Sequence, residues 1–170
     1  MSAVAPNAEA LYLTLRAAVQ TWLAAQPAPV HVVGIASGGV WLAQRLHADL
    51  GLSADVGVIS SVMHRDDFAQ RGLAAAAMQT KLPFEVNDAR VLLVDDVLYT
   101  GRTIRAVLNE LFDYGRPAAV ALAVLVDRGG RELPVTADLC AAQCHVPADQ
   151  VLQLQRGEDG QLVMTLQEAN

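Results

Sequence analysis

The segment that most constrains the fold of this chain is a short apolar run that ends in two adjacent carboxylates. The strand Arg90–Val94 is predicted from its apolar, β-branched residues, and Asp95 and Asp96 follow it directly. Helical periodicity begins at Gly101 and continues to Tyr114. A strand that delivers polar residues to the start of a helix is typical of parallel βαβ units, in which ligands bind at the carboxyl edge of the sheet.

The same alternation of strands and helices runs through the rest of the chain. Asn7 is the expected N-cap of a first helix, whose apolar stripe would contain Leu11, Leu15, Ala18 and Trp22 and which would end near Ala25. The other predicted elements are the strand Val30–Ile35, the tight loop Ser37–Gly39, the helix Val40–Leu50 stopped by Gly51, the strands Val56–Val62 and Ala118–Val126, and a hairpin of Val151–Gln155 with Gln161–Leu166. This pattern predicts one α/β domain over residues 1–170, with a mostly parallel central sheet and flanking helices.

Composition narrows the class of protein. Hydrophobic residues make up 53% of the chain and charged residues 18%, so a packed core is expected and disorder is not. The apolar stretches are shorter than the roughly 18–20 residues that span a membrane, and the opening MSAVAPNAEA lacks the features of a secretion signal. We therefore expect a cytoplasmic protein with no membrane partner. The net charge of −6 argues against a broad nucleic-acid surface.

The residues around the two carboxylates suit a ribose 5-phosphate. Asp95 and Asp96, expected to face solvent at the strand end, can accept hydrogen bonds from vicinal hydroxyls. The helix that starts within Tyr99–Thr103 offers free amides to a phosphate, and Gly101 allows close approach of the backbone. From these residues alone two other interpretations stay open, namely a helix cap or a metal-binding strand of another nucleotide enzyme.

Other chemical motifs fit the chain less well. Gly34–Gly39 has the glycine spacing of a P-loop, but Val40 stands where the lysine is needed, and no G-x-G-x-x-G occurs. Ser37 misses the position of a nucleophile elbow by one residue. Zinc at Cys140–His145 is disfavoured because no second ligand pair of the usual spacing follows.

The segment around the two carboxylates and three further motifs support a resemblance to a known family. VLLVDDVLYTGRT (Val91–Thr103) resembles the phosphoribosyl pyrophosphate (PRPP) signature of type I phosphoribosyltransferases in the form found in PyrR-type proteins. VVGIASGGVWLAQRL resembles the early strand–loop–helix of that family, HRDD at His64–Asp67 resembles its YRDD, and VLVDRGGRELP at Val124–Pro134 resembles its VLVDRGHRELP. The resemblance, which runs from Val30 to about Asp138, implies the type I phosphoribosyltransferase fold with a small hood.

The resemblance also implies a role for each motif residue. The expected catalytic residues are Arg65, Asp95 and Asp96. The PRPP-binding segment would comprise Asp95, Asp96, Val97, Leu98, Tyr99, Thr100, Gly101, Arg102 and Thr103. The pyrophosphate loop would be Ser37, Gly38 and Gly39, and the base pocket would be bordered by Val126, Asp127 and Arg128.

For the reaction, the resemblance implies that uracil displaces pyrophosphate from PRPP and forms UMP. No dedicated metal site is expected, because Mg²⁺ would be carried mainly by PRPP itself. A loop within Arg65–Lys81 would close over the reacting carbon. Tyr99 stands where purine enzymes commonly carry an Asp, which favours a pyrimidine base. Since family members associate, a homo-oligomer is expected.

Departures from the family pattern keep alternatives open. Gly38 stands where many members carry an Arg, which bears on catalytic efficiency. Thr136 and Ala142 replace an Arg and a Lys, so RNA binding is expected to be weak. The alternatives are an RNA-binding regulator that senses UMP or PRPP with little turnover, and a phosphoribosyltransferase for another base. The Arg128–Glu132 group is either a surface ion-pair cluster or part of the site.

Overall fold

A computed structural model describes residues 4–61 and 78–170 of the chain. Its elements in chain order are α1 Ala8–Ala24, β1 Val30–Ile35, α2 Gly38–Leu50, β2 Gly57–Ile59, β3 Arg90–Leu98, α3 Arg102–Tyr114, β4 Ala119–Asp127, β5 Leu139–Gln143, β6 Gln150–Arg156 and β7 Leu162–Glu168. Five strands form a parallel sheet in the order β2-β1-β3-β4-β5, and β6 pairs with β7 as an antiparallel hairpin. The predicted α/β class with a parallel central sheet is confirmed.

Two apolar cores lie on the two faces of the central sheet. On one face, α1, α2 and the hairpin pack together, and their fully or nearly fully buried side chains include Tyr12, Leu15, Leu42, Leu46, Leu154 and Met164. On the other face, α3 covers the sheet with Ile104, Val107 and Leu111. A fully buried side chain of this size contributes roughly 1.5–3 kcal/mol, so both faces stabilise the sheet that carries the site. No helix among the described residues is long and apolar enough to cross a membrane.

The ends of several elements agree with the prediction. The Asn7 side chain caps α1 by accepting from the amide of Ala10 at 2.9 Å. Gly51 ends α2 in the left-handed conformation that glycine favours, at a φ of 60°. The predicted hairpin is confirmed as β6 and β7, with four buried residues on one face.

Four predicted features differ from the structure. The buried stripe of α1 is Ala8, Tyr12, Leu15 and Val19, displaced by about one residue from the predicted stripe, because the first core covers the Tyr12 side of the helix. β2 covers Gly57–Ile59, whereas the predicted strand was Val56–Val62, whose last residue lies outside the described residues. β3 continues to Leu98, because its pairing with β4 extends to the register pair Leu98↔Asp127. β5 was not predicted, because its half-buried edge residues show no alternation.

A polar network joins α1, α2 and the hairpin. The hydroxyl of Tyr12 donates to Asp49 Oδ2 at 2.6 Å, and the Arg45 guanidinium lies 4.1 Å from the centre of the Tyr12 ring. Arg45 also pairs with Glu9 at 2.8 Å, and Glu9 Oε1 accepts from the amide of Leu162 at 2.8 Å. Through these contacts α1 is bonded both to α2 and to the hairpin.

The bond between Tyr12 and Asp49 makes part of the stability pH-dependent. Donation by Tyr12 lowers the pKa of Asp49, while burial together with this bond raises the pKa of Tyr12. A carboxyl whose pKa is lowered in the folded state stabilises above its unfolded pKa, and the contribution is lost as the pH falls through the lowered value.

We expect Tyr12→Phe to lower the free energy of unfolding by about 1 kcal/mol at neutral pH, because one hydrogen bond to a charged group is lost. The pKa of Asp49 should rise toward its ordinary value. Urea denaturation and an NMR titration measure the two effects. Tyr114→Phe removes an exposed hydroxyl and is the matched control, which should change neither quantity. Equal stability of wild type and Tyr12→Phe would contradict the prediction.

Candidate functional site

Two glycines let the start of α2 pack directly against the carboxyl half of β3. A Cβ atom at Gly38 would lie 2.7 Å from Oδ2 of Asp96, and a Cβ atom at Gly39 would collide with the carbonyl oxygen of Val94. A larger residue at Gly39 would therefore push the helix away from the strand, and one at Gly38 would displace the Asp96 carboxylate. The packing brings the first turn of α2 beside the Asp96 carboxylate.

Ser37, Gly38 and Gly39, the predicted pyrophosphate loop, form the turn from β1 into the first residues of α2. Ser37 is exposed, and the peptide bond that precedes it is cis. Within the described part of the chain, the Ser37 side chain does not cap the helix. Because the first amides of a helix have no internal partners and lie at the positive end of its dipole, this turn is suited to an anion.

The two adjacent carboxylates lie where β3 has passed its neighbour β1. Pairing of β3 with β1 ends at Val94, whereas pairing with β4 continues. Asp95 Oδ1 accepts from the amide of Asp96 at 2.9 Å, and Asp96 Oδ1 accepts from the amide of Val97 at 2.9 Å. Asp96 is partly exposed, but Asp95 is only 7% exposed. The expectation that both carboxylates face solvent is therefore wrong for Asp95, which is buried inside β3 rather than free at the end of the strand.

The phosphate segment, Tyr99–Thr103, forms the turn from β3 into α3. Gly101 has a φ of 93°, which favours glycine, and the amide of Arg102 donates to Thr100 Oγ1 at 3.2 Å. Leu98, predicted as part of the PRPP-binding segment, is a strand residue that packs in the second core. Its side chain is therefore unavailable, and the amides and hydroxyls that follow it are the groups that can meet a phosphate.

A cleft of about 370 Å³ opens at the carboxyl ends of β4 and β5. Its described lining consists of Asp127, Arg128, Gly129, Arg131, Gln143, Cys144 and His145. Asp127 and Arg128, predicted to border a base pocket, thus lie together in a cavity. Val126, predicted with them, is 0% exposed and packs in the first core, so its side chain offers the cleft no surface.

The carboxylate of Asp127 is held in its charged form. Burial alone would raise its pKa, but donation by Arg131 Nη2 at 2.6 Å and by the amide of Gly129 at 2.9 Å holds the pKa below its ordinary value. Near neutral pH the cleft therefore contains a fixed negative charge paired with a guanidinium.

Arg128 is a buried cation that is bound by carbonyl oxygens. It is 6% exposed, and its two terminal nitrogens donate to the carbonyls of Val146, Pro147 and Gln150 at 3.0–3.1 Å. Its Nε has no hydrogen-bond partner among the described residues. A buried donor without a partner is costly, so Arg128 is held in place by its carbonyl bonds at an energetic cost.

The two cysteines close to the cleft are weak nucleophiles. Burial raises the pKa of both thiols, and Cys140 donates to the carbonyl of Ala142 at 3.0 Å. Cys144 therefore contributes a neutral, polarisable wall to the cleft rather than a thiolate. In residues 4–61 and 78–170, no group of three or more His, Cys, Asp or Glu is placed to hold a metal ion.

The structure does not place every predicted residue, and it adds others. Arg65 and the rest of the HRDD motif lie outside the described residues. Gln143 and His145 were missed because β5 was not predicted. Only the pairing of β5 with β4 reveals them. Parallel neighbours end at the same edge of a sheet, and Gln143 is the register partner of Asp127.

Sequence comparison relates the chain to one family over most of its length. Residues 7–150 match the phosphoribosyl transferase domain family. The protein from Ralstonia nicotianae named bifunctional protein PyrR is 55% identical over 155 residues, which cover 91% of this chain and 88% of that relative. A protein of the same name from Nitrosococcus oceani is 48% identical, covering 80% of this chain and 78% of the relative.

Solved structures agree on the fold. A hypoxanthine-guanine phosphoribosyltransferase from Bacillus anthracis aligns with a TM-score of 0.62 over 88% of this chain and 87% of that chain, at 16% identity. The corresponding enzyme from Leishmania tarentolae, in complex with GMP, aligns with a TM-score of 0.61 over 86% and 84%, at 18% identity. At these identities the likeness concerns the arrangement of the strands and helices.

The glycine packing predicts different outcomes for two alanine substitutions. Gly39→Ala should lower the free energy of unfolding by about 1–3 kcal/mol or more, because its Cβ would meet a backbone carbonyl that cannot rotate away. Gly38→Ala meets a carboxylate that can rotate, so it should cost less stability than Gly39→Ala. Urea denaturation of the two variants tests the difference. A Gly39→Ala protein as stable as wild type would show that the approach of α2 to β3 is looser than described.

Proposed function

Because the chain belongs to the PyrR family of phosphoribosyltransferases, we propose that it is a uracil phosphoribosyltransferase, which converts uracil and PRPP into UMP and pyrophosphate. One observation carries the proposal. The first turn of α2 packs against Asp96, and the phosphate segment follows on the same strand. A suitable group for each charged or hydroxylated part of PRPP is thereby present along one edge of the sheet.

Each part of PRPP has a partner in this assignment. The Asp95–Asp96 pair accepts hydrogen bonds from the ribose hydroxyls, with the partly exposed Asp96 as the more accessible member. The 5-phosphate binds the amides and hydroxyls of Tyr99–Thr103. The pyrophosphate binds the amides at the start of α2, formed by Ser37–Gly39. Gly38 offers an amide where the family commonly adds a guanidinium.

The base is assigned to the cleft at the ends of β4 and β5. Uracil presents two carbonyl oxygens and ring N–H groups, and the lining of the cleft includes the exposed amide side chain of Gln143, which can both donate and accept. The base nitrogen attacks the anomeric carbon and displaces pyrophosphate, and the proton of the nitrogen is released to solvent. Tyr99, at the position where purine enzymes commonly carry an Asp, supports a pyrimidine.

Positioning and electrostatics supply the catalysis in this proposal. Positive charge develops on the ribose as the bond to pyrophosphate breaks, and the carboxylates of Asp95 and Asp96 stabilise it. Negative charge develops on the leaving group, beside the positive end of the α2 dipole. Positioning adds to these two effects, because the base nitrogen can attack only if the base and the ribose are held at a fixed separation.

The residues present fit a magnesium ion that arrives with PRPP. Mg²⁺ prefers oxygen ligands and retains waters, and the partly exposed carboxylate of Asp96 is such a ligand beside the assigned pyrophosphate position. When bound, the ion would neutralise charge on the departing pyrophosphate.

A second activity, RNA-dependent regulation, is the alternative that the name of the relatives raises, since they are called bifunctional. Several described arginines are committed to contacts within the protein. Arg16, Arg45, Arg102 and Arg131 pair with carboxylates, and Arg128 is buried. The net charge of −6 adds a general repulsion between the chain and RNA phosphates, which weakens this alternative.

We expect uracil to be the best acceptor in a screen of uracil, hypoxanthine, guanine and orotate with PRPP and Mg²⁺, measured as pyrophosphate release. A purine as best substrate would overturn the base assignment alone.

Asp96→Asn tests the ribose assignment separately. This variant should stay folded and bind PRPP at least about tenfold more weakly, because it loses a charged hydrogen bond. Undiminished PRPP affinity in Asp96→Asn would overturn the ribose assignment.

Binding to pyrimidine-operon leader RNA should be weak and largely non-specific near physiological salt. Each phosphate contact contributes about 0.7–0.9 to the slope of log affinity against log salt, so the slope should be shallow. A filter-binding titration at several salt concentrations, with a scrambled hairpin as control, measures it. A nanomolar dissociation constant for one hairpin, strengthened by UMP, would restore the regulator as the main function.

A further inference from the structure

Tyr99, the first residue of the phosphate segment, is held by two arginines that follow β4. Its side chain is 40% exposed, so burial alone does not fix it. Its carbonyl oxygen accepts from Arg131 Nη1 at 2.6 Å, and its ring lies 3.8 Å from the guanidinium carbon of Arg128. Both arginines line the cleft. Tyr99 is therefore a point of contact between the phosphate segment and the cleft.

Arg131 bonds three separate stretches of chain with one guanidinium. Besides the carbonyl of Tyr99, it donates from Nη2 to Asp127 Oδ2 at 2.6 Å and from Nε to the carbonyl of Val135 at 2.8 Å. Each bond uses a different nitrogen of the rigid, planar fork. The three acceptors belong to the phosphate segment, the end of β4 and the segment before β5, so their relative positions are fixed by a single side chain.

The aromatic ring of Tyr99 is fixed by a second set of contacts. Arg128 is buried and is itself held by three carbonyls, so it forms a rigid surface under the ring. A Cβ atom at Gly130 would lie 2.5 Å from Tyr99 Cε2, so the ring lies directly on the turn after β4. The side chain and the backbone of Tyr99 are thus held independently.

The neighbouring backbone continues this junction. The amides of Glu132 and Leu133 both donate to the carbonyl of Thr100, at 2.9 and 3.1 Å. Arg102 Nε donates to Glu132 Oε2 at 2.8 Å between two exposed side chains. These bonds keep the phosphate segment attached to the chain after β4 even without Arg131. The loop can therefore form without Arg131, and the role left to this residue is the alignment of the loop with the cleft.

We propose that Arg131 is a positioning residue that sets the separation between the phosphate segment and the cleft, so that a ligand spanning both is bound in register. The inference rests on the proposed function, because it assumes that the phosphate and the base of one nucleotide occupy these two places. Of the two interpretations that the sequence leaves open for Arg131, the inference takes the one in which this residue belongs to the site.

Two ligands distinguish alignment from mere loop formation. Ribose 5-phosphate contacts the phosphate segment and the Asp95–Asp96 pair but not the cleft, whereas UMP must also reach the cleft. In Arg131→Gln, isothermal titration calorimetry should show UMP binding weakened by about tenfold or more, because charged hydrogen bonds that align the two parts are lost. Ribose 5-phosphate should weaken by less than about threefold, since the bonds to Thr100 remain.

A lysine at the same position separates charge from geometry. Arg131→Lys keeps the cation beside Asp127 but cannot reach three acceptors at once, so UMP should again weaken more than ribose 5-phosphate. This variant also keeps the test valid if Arg131→Gln does not fold. Arg116→Gln is the matched control at an exposed site, and it should bind both ligands as wild type does.

The possible outcomes are distinct. Selective weakening of UMP in both Arg131 variants supports the inference. Equal weakening of the two ligands, no weakening, or full rescue by lysine overturns it while the proposed function stands. If wild-type protein binds neither ribose 5-phosphate nor UMP, the proposed function fails, and the positioning role fails with it.

Discussion

The site depends on one close approach, that of the first turn of α2 to the carboxyl half of β3. The approach requires three glycines. Gly34 lies against the backbone of the turn, and Gly38 and Gly39 lie against β3; a Cβ atom at any of them would be 2.7 Å or less from another atom. The approach sets a helix dipole against a pair of carboxylates, so opposite charges face each other across a few ångströms. Such a place is suited to a ligand that carries both hydroxyls and phosphates, because each charge has a complementary group.

The sequence predicted this edge well, because its signals are local. The apolar strand before Asp95 and Asp96, the glycine at position 101 and the helix that follows all lie within one short segment. The parts it could not predict depend on contacts between distant segments. β3 extends to Leu98 because β4 pairs with it, so Asp95 is a buried residue inside a strand rather than an exposed one at its end.

The cleft shows the same limit more clearly. Nothing local marks Leu139–Gln143 as a strand, since its residues are half buried at the edge of a sheet and do not alternate. Only its pairing with β4 brings Gln143 and His145 beside Asp127. The contacts of Arg131 were equally hidden, because a guanidinium that bonds Tyr99 and Val135 looks in the sequence like any exposed arginine.

The bond between Glu9 and the amide of Leu162 joins residues 153 positions apart, and it has a consequence for biosynthesis. A ribosome releases α1 well before the hairpin. Until β7 emerges, the apolar side of α1, with Tyr12 and Leu15, lacks the partners that Leu162 and Met164 provide. That part of the apolar side of α1 therefore stays uncovered until the hairpin is made, and transiently exposed apolar surface of this kind favours aggregation.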